Sequence, residues 1–138
     1  MRTPSIRRTR GQRGQALLEF GLCFLVFFFF LYGIMEFGRM VASYNVIAGA
    51  VREGARYATV HGSASGSAAS ASDIQNVVRK WSVGLDTSSV AVNTTWSPGN
   101  GPGGQVTVQA SYSMLPFTSL FLKDGVTLSS SSVMVISQ

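Results

Sequence analysis

The sequence predicts an α+β fold, in which a long N-terminal membrane-spanning helix continues into a small head of one short helix and a three-stranded antiparallel sheet. Three observations predict it. Residues 20–35 are sixteen consecutive positions without a charge. Helical sequence free of proline then runs on to about Val60. Beyond Ser89 the apolar period changes from helical to two, the period of a strand with one buried face.

The apolar stretch sets the frame. Counting back to Gln15 gives 21 residues in which Glu19 is the only charge. At ~1.5 Å rise per residue such a helix covers roughly 30 Å, about the hydrocarbon thickness of a bilayer. A water-soluble helix shows a polar face every 3.6 residues, and this one shows none past Glu19. The helix is therefore expected over 15–60, within the membrane to about residue 36.

Charge sets the orientation. The first 14 residues, MRTPSIRRTRGQRG, carry Arg2, Arg7, Arg8, Arg10 and Arg13 and no acid. Basic flanks stay on the cytoplasmic side, so the N-terminus is expected inside and the head outside. The chain has 11 basic and 6 acidic residues; without those five arginines it has six of each, so the net +5 belongs to residues 1–14. A neutral head argues against nucleic acid as a partner. A secretory signal would close its apolar region with a small-x-small cleavage site. Here the run is too long, no A-x-A element closes it, and MEFGRMVASYNVIAGAVREGARYATV continues in helical register. The helix is expected to be retained, with any processing before it, at Gly14.

A basic leader ending in glycine, then an acid at the fifth following position and an aromatic at the sixth, resembles the class III signal of type IV prepilins. Counted from Gln15, Glu19 is fifth and Phe20 sixth. Alone, G-x-x-x-x-E-F is a weak pattern; between an arginine-rich leader and a span it becomes specific. The alternative is a plain signal anchor in which Glu19 is a tolerated interfacial acid. The rarity of unpaired acids in spans favours the prepilin reading.

Past the span, Arg39, Arg52, Glu53 and Arg56 keep one side of the helix wet, and Glu36 with Arg39 and Glu53 with Arg56 are i,i+3 pairs. Ala50, Gly54 and Ala58 recur at i,i+4 as a small-residue stripe on which another backbone can pack closely. Gly54 costs ~1 kcal/mol against alanine in a helix, which favours a packing role over mere propensity.

RGQALLEF, GIMEFGRM and AVREGARYA, in that order, resemble the TadE-like family of minor pilins or pseudopilins of the tight-adherence (Flp, type IVc) pilus. The matching boxes are residues 14–20, 33–39 and 50–56, and the resemblance covers roughly 11–60. It implies a type IV pilin-like architecture and a bacterial inner-membrane location. It also implies cleavage between Gly14 and Gln15 by a prepilin peptidase, and assembly through Glu19 and Phe20 with other pilin subunits and inner-membrane assembly proteins. The competing reading is an uncleaved, signal-anchored envelope binding module unrelated to pili.

The remaining elements follow in order. HGSASGSAASAS, residues 61–72, reads as a flexible linker. Ser72 or Asp73 offers an N-cap, and Ile74, Val77, Val78 and Trp81 form one face of a short amphipathic helix ending near Gly84. The head is thus expected over 73–138. Val90, Val92 and Thr94 alternate up to Trp96, SPGNGPGG turns the chain, and 105–114 alternates again, a plausible hairpin. Pro116 ends the second strand, because proline cannot donate to a ladder. The apolar TSLFL is read as a helical turn or a membrane-touching loop, the turn at 123–125 reverses the chain, and 126–137 is a third strand. The head has few large apolar residues, so part of its core is expected from the emerging end of the long helix.

No catalytic constellation stands out. The single His61 lies in the low-complexity segment and the single Cys23 in the span, so no metal cluster and no internal disulfide is expected. Asp73, Asp86 and Asp124 sit at cap or turn positions, where aspartate acts structurally. The glycines of 99–104 lack the strand, lysine and helix of a phosphate loop. No cofactor is expected, and a structural subunit is favoured over an enzyme.

Overall fold

The computed structural model describes residues 10–116 and 125–137, with side chains from Gly14 onward. The expectations for residues 1–9, for TSLFL and for Lys123 and Asp124 lie outside the described residues. Helix α1 runs Arg10–Val60, α2 is Ala71–Trp81, a 3₁₀ turn covers Thr87–Ser89, and strands β1 (Val90–Ser97), β2 (Gln105–Met114) and β3 (Val126–Val135) complete the chain. The fold is α+β. The chain divides into two compact units, Met1–Phe37 and Gly38–Gln138.

No proline interrupts α1, and its last carbonyls, which a helix leaves without partners, are taken up locally and by the far end of the chain. His61 Nδ1 donates to Tyr57 O at 2.9 Å, and the His61 amide donates to Ala58 O at 3.3 Å. The Ser137 amide and hydroxyl both donate to Thr59 O, at 3.0 and 2.9 Å.

Where composition predicts a flexible linker, residues 61–67 form a turn tied into the head. The Ser63 amide donates to Asn100 O at 2.7 Å and the Ala69 amide to His61 O at 2.8 Å, and Ala69 is buried. Small residues permit the tight turn, and those two backbone bonds hold it.

Helix α2 starts earlier than the apolar pattern suggests. Its N-cap is Ser70, not Ser72 or Asp73, and Ser70 and Asp73 form both bonds of a capping box. The Ser70 hydroxyl accepts from the Asp73 amide, while the Asp73 carboxylate accepts from the Ser70 amide at 3.0 Å. The Ser70 hydroxyl's own hydrogen bond to that carboxylate, and then the backbone one, hold Asp73 below the ordinary aspartate range. Asp86 is lowered in the same way by the Ser88 hydroxyl first and the Ser88 amide second, as N-cap of the 3₁₀ turn. Ile74 and Val78 are buried as expected, whereas Trp81 is 54% exposed at the last turn.

The sheet is an antiparallel meander in the order β1-β2-β3. Val92 lies opposite Ala110 and Thr94 opposite Val108 between β1 and β2, and Val106 lies opposite Met134 between β2 and β3. Val90, Val106, Val108, Ala110 and Ile136 meet Ile74 and Val78 of α2 and Ile47, Ala50, Val51, Ala55 and Ala58 of α1 in one core. The long helix thus supplies one wall of the head, as the shortage of large apolar residues elsewhere predicts.

Candidate functional site

The site residues read from the sequence fall into two groups with opposite surroundings. Gly14, Gln15, Glu19 and Phe20 follow one another along an exposed length of α1. A side chain built at Gly14 would meet nothing within 4 Å, so the chain's own packing does not require glycine there. Gln15 Nε2 donates to Glu19 Oε1 at 3.3 Å, one helical turn away, and the carboxylate is exposed. Phe20 stacks on Phe24 at 6.0 Å between ring centroids, and Phe24 on Phe28 at 6.4 Å. These are i,i+4 pairs with their outer surfaces bare.

The large apolar side chains from Leu17 to Phe37 are 49% to 78% exposed, apart from the half-buried Tyr32. The helix passes the length and composition test for a membrane span, and its apolar window has no buried residue. Exposing such a surface to water is unfavourable by ~25 cal/mol per Å². Lipid or another apolar helix must cover it.

Ala50, Gly54 and Ala58 are the opposite case. Ala50 and Ala58 are 1% exposed inside the head core. A Cβ at Gly54 would lie 2.6 Å from Val78 Cγ2, with Ile74 Cγ2 at 3.5 Å and Val108 Cγ1 at 3.7 Å. What packs on Gly54 is side chains, Val78 and Ile74 of α2 and Val108 of β2, rather than another backbone. Gly54→Val is therefore expected to destabilise the head by about 1–3 kcal/mol through overpacking. A urea midpoint unchanged from wild type would show that α2 gives way without cost.

Two residues do more than their sequence context shows. Arg39, read as a solvating charge, is half-buried and donates from Nη2 to Leu115 O at 2.9 Å, capping the end of β2 just before Pro116. Ser43 is buried, with its hydroxyl 3.8 Å from Met114 Sδ. Neither partner is foreseeable, because each lies more than seventy residues away. The expected Glu53–Arg56 pair forms at 3.1 Å on the surface, where such bridges are worth little. Glu36 is buried. Beside that pair, Arg56, Tyr57 and Val60 with Val77, Lys80 and Trp81 line an open groove of about 340 Å³ between α1 and α2.

Among known proteins, the family model described as TadE-like protein matches residues 14–56. That stretch holds all three sequence boxes, Gly14, Gln15, Glu19 and Phe20, and Ala50 and Gly54 of the stripe, but ends before Ala58. No curated protein and no solved structure matches the chain.

Proposed function

We propose that this chain, TadE-like over residues 14–56, is a minor pilin or pseudopilin: a membrane-anchored structural subunit for assembly of a tight-adherence pilus, without enzymatic activity. The observation that carries the reading is the exposed apolar surface of α1 between Gly14 and Phe37. Among the described residues, a glycine that no neighbour requires, an acid at the margin of a span and a bare apolar helix find no use within the chain itself. Each has one in an assembling subunit. The glycine suits a peptidase site that admits only a minimal side chain. The acid suits a partner's amine, and the helix suits lipid before assembly and neighbouring helices after it.

In this reading the chain sits in the bacterial inner membrane with its N-terminus cytoplasmic and residues 38–138 outside. A prepilin peptidase removes residues 1–14, and Glu19 and Phe20 meet other pilin subunits. The test is the N-terminal residue of the protein isolated from membranes of a peptidase-positive host. Mass spectrometry is expected to find a chain starting at Gln15, and Gly14→Val is expected to leave it uncut. A mature chain that still contains Arg2 to Arg13 would overturn the processing and favour the uncleaved anchor.

A further inference from the structure

Strand β3 is an edge of the sheet. It pairs with β2 at ten consecutive positions, from Gln105↔Val135 to Met114↔Val126, without a bulge. An edge strand presents a row of unpaired N–H and C=O groups, and proteins ordinarily blunt it with lysine, proline, a bulge, an inward charge or short length. β3, VTLSSSSVMV, uses none of these: it is ten residues long, regular, and free of charge and proline. The opposite edge differs, because α2 packs against β1 and Pro98 follows that strand directly.

The cover over the inner face is uneven as well. On β2 the inward Val106, Val108, Ala110 and Met114 are buried, whereas on β3 Leu128 and Met134 are only half-buried. On the outer face Val133 and Val135 are 56% and 58% exposed. Among the described residues, β2 alone pairs with β3, and the strand is apolar toward both ends.

The sequence of β3 selects the strand that completes it. Opposite residues of an antiparallel pair lie on the same face of the sheet, so inward positions must meet inward ones. Two copies related by a two-fold axis normal to the sheet at Ser131 satisfy this rule throughout. Leu128 then faces Met134 and Val126 faces Ile136 on the inner side, while Thr127 faces Val135 and Ser129 faces Val133 on the outer. No like charges oppose each other. On the inner face the apolar–serine–apolar pattern reads alike in both directions, Val126, Leu128 and Ser130 matching Ile136, Met134 and Ser132, while on the outer face Thr127 and Ser129 meet valines. That inner-face symmetry is what an isologous interface needs.

We propose that β3 pairs antiparallel with β3 of a second copy of this chain, joining the two three-stranded sheets into one continuous sheet about an axis at Ser131. The inference goes beyond the pilus reading and does not depend on it. The test uses the full chain in detergent micelles with Cys23→Ser, which removes the only cysteine. Ser131→Cys and Thr95→Cys, both at exposed outer-face positions, are treated with a short bismaleimide. Side chains meeting at the axis would be about 4.5–5.5 Å apart. Ser131→Cys is therefore expected to give several-fold more crosslinked dimer than Thr95→Cys. Adding Val133→Lys, which puts a charge on the exposed edge, is expected to reduce that yield to the Thr95→Cys level. Equal crosslinking at both positions, none at Ser131→Cys, or a yield indifferent to the lysine would overturn the proposal.

Discussion

Glu19→Ala is expected to be inserted and cleaved normally yet to fail in assembly. An acid in a span costs up to ~2.5–3.5 kcal/mol at the bilayer centre and less near the margin. Among the described residues the carboxylate accepts an exposed hydrogen bond of 3.3 Å from Gln15. A typical hydrogen bond contributes a net ~0.5–1.5 kcal/mol, too little to account for the acid. Cleavage after Gly14 would free an α-amine on Gln15, about one helical turn away along α1. In an assembled array that amine on one subunit can neutralise Glu19 on the next and set their axial register. Removing one member of a buried pair strands the other, at ~3–5 kcal/mol. Glu19→Asp should be impaired too, since its shorter reach spoils the geometry. Crosslinking in membranes, wild type against Glu19→Ala, is the measurement. If the variant forms the same complexes and supports piliation equally, the carboxylate is incidental and the signal-anchor reading takes over.

The second large effect concerns how much of the long helix the head needs. Ile47, Ala50, Val51, Ala55 and Ala58 come from α1 and sit in the same core as Ile74, Val78 and the strand valines. Full burial of a residue such as Ile47 or Val51 is worth about 1.5–3 kcal/mol. Losing both, with three alanines besides, removes a stabilisation comparable to the ~5–15 kcal/mol by which a whole domain is stable. The Thr59 carbonyl that accepts from Ser137 goes with them. A fragment of residues 38–138 is therefore expected to melt cooperatively. One of residues 70–138 should stay molten or aggregate, with near-ultraviolet circular dichroism lost. A cooperative melt of the shorter fragment would show that the sheet and α2 hold themselves together.

Several features are settled by local pattern alone. Sixteen uncharged residues in a row define an apolar helix whatever surrounds them. The period-two runs mark all three strands to within two residues, since alternation is a property of each strand and Pro116 is a stop that needs no partner. The family resemblance was legible for the same reason, because its boxes are contiguous and lie on one helix. The start of α2 was not so plain. In a segment of many serines the choice of Ser70 turns on a reciprocal bond with Asp73 that the apolar pattern does not register.

What only the tertiary structure decided is which surface each residue meets. The small-residue stripe announces that something packs closely at Gly54, but an i,i+4 spacing cannot distinguish a second subunit from the chain's own α2. Arg39 has the spacing of a surface charge and instead holds a carbonyl 76 residues along the chain. Trp81 lies on the apolar face by period yet past the end of the core, so it is exposed. Composition made residues 61–72 a linker, and two backbone hydrogen bonds tie part of it into the head. The division has one physical cause. Period, length and charge are fixed by neighbours along the chain, and partners are fixed by neighbours in space.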